Sequence, residues 1–519
     1  MDLSKASIGI EFGSTRIKTL LITREGEVLS KASYEWENEF LDGYWTYSLE
    51  AIKAGLQGVF ASLKEDFRSK YGFPLTHVGS LGISAMMHGY MVFDKEDHLL
   101  VPFRTWRNVS AQKAADILTD LFSYHIPARW SIAHLYQAIL DKEPHVKDIA
   151  FQTTLEGYIH YLLTGRKVIG IGEASGMFPI DPLTKDYDQS CLASFDGLLK
   201  ENGLPYSLRD IFPKPLLAGE KAGILTKEGA LLLDPSGEFL SGVKLCPPEG
   251  DAETGMIATN SIKKNTGNVS SGTSIFASIV LDKKLKKAYP EIDLVTTPLG
   301  EMVAMVHANN CTSEINAYMG IFSELLSAFG KEVSQEELFT TLFKKSLEGE
   351  EDASKIISFN YLSGESITHV DVGHPLMVRN AESLFNLSNL MRSEIYSSFA
   401  TLKLGFEILE KEGIKIKEIA GHGGLFKTPG VAELYLASAL DTPLSIQENA
   451  GEGGAYGIAV LASFMNEDMG LEDYLDKVIF KGAKARVALP EAKVKEGFDV
   501  YMEQYKKVLK AEQLLSKEL

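Results

Sequence analysis

The chain is 519 residues long, 45% apolar, and carries 70 acidic against 52 basic side chains, a formal net charge of −18. That length exceeds what one hydrophobic core usually supports, so two domains are expected; the acidic field repels nucleic acid and anionic membranes and leaves a small ligand as the expected partner. No apolar run reaches the ~18–20 residues of a membrane helix, Met1 to Ser7 leave no room for a leader, and Cys191, Cys246 and Cys311 form no CxxC or Cys/His cluster, so neither a disulfide framework nor a zinc site is implied and a reducing cytoplasm is expected.

Ile8 to Ile10 and Ile17 to Ile22 are β-rich runs separated by Gly13-Ser14-Thr15, and Glu25-Gly26 offers a turn into Val28-Leu29, which reads as a three-stranded meander. Apolar residues at helical spacing (Leu49, Ile52, Leu56, Val59, Phe60, Leu63) predict a helix from Ser48 to Tyr71, with a buried strand from Val78 to Ser84 after it. Helices are expected over Ala111 to Phe122 and Leu155 to Leu163, the second stopped at Thr164-Gly165. Pro205 to Gly250 is rich in Pro and Gly and predicts a loop-rich β segment ending at Asp251. Lys263 to Leu281 repeats the opening hairpin, Arg392 to Lys411 predicts a long helix, and Lys417 to Ile419 leads into Gly421-His-Gly-Gly. Gly453 to Phe464 reads as a helix of small residues and Glu491 to Leu515 as an amphipathic, charged one. Strands leading into helices and back give an α/β class. The second half echoes the arrangement of the first, with a hinge expected near residues 255–265 and domains at 1–260 and 261–519.

Turns of Gly, Ser and Thr between strands can point N–H groups and hydroxyls into one concavity, which suits phosphate oxygens, although the same composition makes ordinary hairpin turns. Two such turns, Gly13-Ser14-Thr15 and Ser271-Gly272-Thr273-Ser274, each head half of the chain, which points to a nucleotide clamp. Glu11, beside the first turn, reads as a carboxylate holding Mg2+ through water or as a solvent-facing strand residue. Lys18 reads as a phosphate neutraliser or a surface lysine. Asp251, in Pro-Pro-Glu-Gly-Asp, reads as the N-cap of a short helix or as a carboxylate base; the two are compatible, because the helix dipole keeps the acid ionised while it accepts a proton from a substrate hydroxyl.

The glycines of Ala420-Gly-His-Gly-Gly allow close approach of a flat base or a phosphate. Neither GxxxxGK[ST] nor GxGxxG occurs convincingly in a strand-to-helix setting, so P-loop and Rossmann readings lose their main support. Gly451-Glu-Gly-Gly-Ala-Tyr-Gly reads equally as a ligand loop or as tight helix packing. Met87-His88-Gly89 lies at a strand end, where α/β proteins place ligands, and reads as a histidine offered to a sugar hydroxyl or as a satisfied core or loop histidine. Trp106-Arg107-Asn108 reads equally as an aromatic wall with polar groups beside it, as carbohydrate sites need, or as a buried tryptophan with surface neighbours.

These residues, in this order and over nearly the whole chain, resemble the FGGY family of carbohydrate kinases, with xylulokinases most similar. The resemblance covers the opening hairpin, Met87-His-Gly, Trp106, Leu163-Thr-Gly, Ala174-Ser-Gly, Gly250-Asp251, the second hairpin, Tyr361-Leu-Ser-Gly-Glu, Gly421 to Gly424 and Gly454 to Gly457. It implies two actin-like, ribonuclease-H-like ATPase domains with an interdomain cleft that closes over ATP and sugar. It also implies Asp251 as catalytic base, Glu11 as the acid that helps hold Mg2+, Ser14, Thr15, Gly272 and Thr273 as phosphate turns, Gly423 and Gly424 as the loop under the adenosine, and His88 and Trp106 as lining of the sugar pocket. The chain departs from the family pattern at Glu11, where aspartate is usual, at Asn108, which replaces a sugar-binding carboxylate, at His422, where glycine is usual, and at Ser366, where an arginine is expected after Gly-Glu.

The expected substrate site therefore comprises Met87, His88, Trp106, Asn108 and Asp251; the ATP site Gly13, Ser14, Thr15, Lys18, Gly272, Thr273, Gly423 and Gly424; and the metal site Glu11 and Asp251. The expected activity is transfer of the γ-phosphoryl group of ATP to a hydroxyl of a ketose or polyol, a ketopentose such as xylulose first, with ribulose, fuculose, glycerol and gluconate as other family substrates. The alternative is a non-catalytic actin-like regulator that binds nucleotide or sugar; no basic helix-turn-helix region supports a DNA-binding one. Monomer and homodimer both stay open.

Overall fold

The computed structural model describes residues 2–447 and 453–519, so Gly451 and Glu452 of the glycine cluster lie outside the described residues. The chain forms two compact units: the first takes residues 1–262, 293–303 and 452–482, the second residues 263–292, 304–451 and 483–519. The chain passes between them beside the expected 260/261 boundary, but two later segments return to the first unit. The division is therefore not the single cut expected, because residues 453–464 supply a helix that covers the first unit's sheet.

That sheet runs in the order Gly223–Ile224, Lys244–Leu245, Ser80–Ala85, Ser7–Phe12, Arg16–Ile22, Val28–Glu35, and Glu249–Gly250 also pairs with Ser80–Ala85. The first three strands in sequence form the expected antiparallel meander, and Ser80–Ala85 runs parallel to Ser7–Phe12. Alternation sends Ile8, Ile10, Phe12, Leu81, Ile83 and Ala85 to one face, where they form one buried cluster with Ile52, Leu56, Val59, Phe60, Leu63 and Phe67 of the helix Leu49–Tyr71. Each large apolar side chain so buried contributes about 1.5–3 kcal/mol. Ser48 caps this helix, accepting the Ala51 N–H at 3.1 Å.

The opposite face carries glycine beside glycine, Gly9 in register with Gly82. A Cβ on Gly9 would stand 2.8 Å from the Ala459 nitrogen, and one on Gly82 2.6 Å from Ile458 Cγ1. Bare backbone is what lets the helix Gly453–Phe464 lie directly on the strands. Gly457 does the same towards the helix Asp251–Ala258, where a Cβ would meet the Thr254 carbonyl carbon at 2.6 Å. From Gly453 onward the glycine cluster serves close packing, one of its two expected roles.

The second unit's sheet includes, in order, Met302–Ala308, Ile275–Val280, Thr266–Ser271, Glu418–Gly423, Leu444–Gln447 and Ala485–Ala488. As in the first unit, an antiparallel hairpin is followed by a later strand parallel to its first member, so the echo between the halves is one of arrangement. The helix Leu387–Lys411, capped by Asn386 accepting the Asn389 N–H at 2.9 Å, packs with the helix Ala492–Glu518 through Tyr396 and Phe498, ring centroids 5.0 Å apart. The three cysteines are buried free thiols. Among the described residues no helix is long and apolar enough to cross a membrane.

Candidate active site

Register assembles the site in the first unit. Glu11 lies beside Ser84 and Ser84 beside Glu249; one step on, Phe12 lies beside Ala85 and Ala85 beside Gly250. The next residues, Gly13, Met86-Met87 and Asp251, therefore leave the sheet from one edge, at the carboxyl ends of parallel strands, where α/β folds gather their ligands.

Asp251 is the first residue of the helix Asp251–Ala258 and Gly250 is its cap, so the N-cap reading is corrected by one position. Gly250 still pairs with Ala85, and the helix begins only once the strand has ended. The Asp251 carboxylate is exposed to solvent and accepts the Met87 N–H at 3.3 Å. Protein packed around it and, second, the charge of Glu11 push its carboxyl up to about 7, against the pull of the Met87 and Ala252 amides. An acid poised near neutrality is suited to accepting a hydroxyl proton.

Glu11 accepts the Ala455 N–H at 3.2 Å at the start of the helix Gly453–Phe464. A Cβ on Gly454 would stand 2.5 Å from Glu11 Oε1, so the glycine makes room for the glutamate. Burial raises the Glu11 carboxyl and Lys18, opposite it on the neighbouring strand, lowers it. Glu11 is thus a held carboxylate and not a plain solvent-facing strand residue. Glu11 and Asp251, close enough to raise one another's charge cost, are hard oxygen donors of the kind Mg2+ accepts, since that ion takes one or two carboxylates and fills its shell with water and phosphate. Among the described residues no group of three or more His, Cys, Asp or Glu side chains could hold a metal, so the donor set fits that shared mode only.

The first turn is anchored through its carbonyls. Gly13 O accepts the Trp36 indole N–H at 2.7 Å, Ser14 O the Tyr47 hydroxyl at 2.5 Å, and Thr15 O the Trp36 backbone N–H at 3.3 Å. Trp36 and Tyr47 are themselves stacked, 4.0 Å between centroids. The Trp106 indole donates to Ser14 Oγ at 3.2 Å, which ties the expected phosphate turn to the expected sugar wall.

The second unit's turn has its own anchors. Gly272 O accepts the Thr312 hydroxyl at 2.8 Å and the Thr312 N–H at 3.3 Å, and Thr273 O accepts the Cys311 N–H at 2.9 Å. Ser271 pairs with Gly423, so this turn and the Gly423-Gly424 segment share one strand end. Gly423 has φ 110°, and a Cβ there would stand 2.8 Å from the Ser271 carbonyl carbon; only glycine fits.

Of the residues expected to line the sugar pocket, Met87 and His88 are buried. His88 adopts φ 68°, a left-handed conformation uncommon in non-glycine residues. Its N–H donates to Glu173 Oε1 at 2.8 Å, its Nδ1 lies 3.2 Å from Gly176 O, and its ring stacks on Trp130 at 6.2 Å. Asn108 does not join this group, and its expected substrate role is corrected. It is buried, its Oδ1 accepts the Trp45 N–H at 2.9 Å, and its Nδ2 donates to Trp45 O at 2.9 Å and Thr105 O at 3.0 Å. Both of its amide hydrogens are thus directed at backbone carbonyls.

Sequence reasoning missed several residues. Glu156, Glu173, Glu249 and Glu253 are buried behind Asp251, and Asp293 is held by Arg129 and His125, which keep its carboxyl well below the usual range against the burial that raises it. Glutamates are exposed by default, and nothing in a single sequence marks these as exceptions except that Glu249 sits two residues before Asp251.

Residues 6–233 match the N-terminal domain, and residues 267–465 the C-terminal domain, of the FGGY family of carbohydrate kinases. The chain is similar to a xylulose kinase of Haemophilus influenzae, 23% identical over 437 residues, which cover 82% of each chain. Its fold is similar to that of a xyloylose kinase from Brucella ovis (18% identity, TM-score 0.79, covering 98% of this chain and 100% of that one) and of a gluconate kinase from Lactobacillus acidophilus (16% identity, TM-score 0.79, 99% and 98%). With the two-domain actin-like, ribonuclease-H-like fold and both family domains in place, this chain belongs to the FGGY family of carbohydrate kinases and is a sugar kinase.

Proposed function

We propose that this sugar kinase moves the γ-phosphoryl group of ATP to a hydroxyl of a ketopentose such as xylulose, in the cytoplasm, with Asp251 accepting the hydroxyl proton. The observation that carries this reading is the Asp251 carboxylate: exposed, fixed by the Met87 amide, raised to about 7, and one strand end away from the Gly13-Ser14-Thr15 turn. Gly13, Ser14, Thr15 and Lys18 hold nucleotide phosphates in this proposal, as do Gly272 and Thr273 of the second unit, while Gly423 and Gly424 lie under the adenosine. His88 and Trp106 orient the sugar. Mg2+, held by Glu11 and Asp251, would supply positive charge to the phosphates when bound. The chain's own residues position the hydroxyl and take its proton, and positioning with electrostatics is most of what phosphoryl transfer requires.

The ketopentose is favoured by the xylulose kinase names among the relatives, and the gluconate kinase of the same fold makes sugar acids the class to test against it. The experiment is ADP release from the purified protein over a panel of ketoses, polyols and sugar acids with Mg2+-ATP. Xylulose is expected to give the highest kcat/KM; a sugar acid or glycerol giving a higher value overturns the substrate while leaving the kinase.

A further inference from the structure

Glu173 lies in the short helix Ile171–Met177, fully shielded from solvent. Its Oε1 accepts the His88 N–H at 2.8 Å, while the preceding amide, that of Met87, goes to Asp251 at 3.3 Å. Two successive amides at one strand end thus grip two acids, one buried and one exposed. The same helix meets the imidazole of His88, whose Nδ1 lies 3.2 Å from Gly176 O, and a Cβ on Gly176 would stand 2.6 Å from that nitrogen. The ring therefore lies flush on the helix.

His88 holds φ 68°, which costs a non-glycine residue about 1–2 kcal/mol. Something must hold it there, and the bond to Glu173 is a direct hold on its amide. The other oxygen, Glu173 Oε2, has no hydrogen-bond partner, so reception of the His88 amide is the visible work of this carboxyl.

We propose that Glu173 is a positioning residue for the kinase reaction: by receiving the His88 amide it fixes the Met87-His88 peptide, and with it both the imidazole on the sugar side and the Met87 amide that holds Asp251. The proposal rests on the assignment of His88 and Asp251 made above. Burial first, then the neighbouring carboxyls Glu156 and Glu253, raise the Glu173 carboxyl well above its ordinary value, so it acts as a neutral acceptor that a glutamine can replace.

The test compares Glu173→Gln, which keeps an acceptor oxygen at the same reach, with Glu173→Asp, which withdraws it by one methylene. The Gln variant is expected within about threefold of wild type in kcat and in the KM for sugar. The Asp variant is expected to raise the KM for sugar and lower kcat, each by about fivefold to tenfold for one lost buried hydrogen bond, with the KM for ATP unchanged. Amide hydrogen exchange at His88, read without sugar or ATP, is expected to speed up about tenfold in the Asp variant only. That readout stands even if the substrate and base assignments fall. A Gln variant as impaired as the Asp variant, equal losses in both KM values, or unaltered His88 exchange in the Asp variant overturns the proposal. If the Asp variant does not fold, the Gln variant still decides: loss of its activity or of its His88 protection overturns the neutral-acceptor role, and retention of both upholds it.

Discussion

The two glycine–hydroxyl turns are alike in composition and anchored by different means. In the first, the carbonyls of Gly13, Ser14 and Thr15 are taken by Trp36 and Tyr47, and the Ser14 hydroxyl by Trp106. In the second, the main chain and one hydroxyl of Cys311 and Thr312 take the carbonyls of Gly272 and Thr273. The residue two before the glycine is Glu11 in the first and Ser270 in the second. The same turn can therefore be a holding device alone, or a holding device joined to acids and aromatic rings. Among the described residues, only the first is wired to residues proposed to do chemistry.

The sharpest way to break this contrast is Asp251→Asn. Removing the base is expected to lower kcat by about 10²–10⁴-fold with the KM for ATP little changed, read by ADP release. Ser270→Ala, beside the second turn, is expected to leave kcat within a few-fold; near-wild-type turnover in the Asn variant removes the base assignment.

Next in size are the close approaches that seat each turn's neighbours. Gly457→Ala forces a methyl against Thr254, and Gly423→Ala forces one against Ser271 in a left-handed conformation. Each is expected to cost about 1–3 kcal/mol in urea unfolding, with the loss confined to its own unit. A neutral Gly457→Ala would mean that the helix Gly453–Phe464 does not need its bare backbone.

Glu11→Gln is expected to raise the half-saturating Mg2+ concentration about tenfold, as for a carboxylate that steadies a metal through water. Unchanged metal dependence counts against Glu11. The smallest effects belong to the turn anchors themselves. Trp106→Phe and Thr312→Val each remove one hydrogen bond, worth about 1 kcal/mol, so each is expected to raise the KM for ATP up to about fivefold. Trp106→Phe alone is expected to raise the KM for sugar as well; equal sugar effects from both would erase the distinction between the turns.

Much of this was legible before the structure. The hairpins, the helix Leu49–Tyr71 and the Gly453–Phe464 helix follow from periodicity and small-residue spacing, which are local signals. The meeting of Gly13, Met87 and Asp251 follows from strand register, which a sequence does not print, and only the resemblance to a family brought those residues together. Asn108 was misread because an amide beside a tryptophan looks alike whether it faces a sugar or satisfies backbone. Glu173 and Glu249 stayed hidden because burial of a glutamate is decided by elements distant in sequence. The return of residues 453–482 to the first unit was illegible for the same reason.

The central claim is that Asp251 takes the proton, and the pH dependence of kcat/KM for the sugar tests it most directly. Its carboxyl is raised to about 7 by the protein packed around it and then by Glu11, and the base works only when deprotonated. Activity should therefore fall as pH drops through about 7 and level off above it, with the midpoint moved to lower pH in Glu11→Gln, where the neighbouring charge is gone. A profile flat from about pH 5 to 8, or a midpoint that Glu11→Gln leaves in place, would contradict the account.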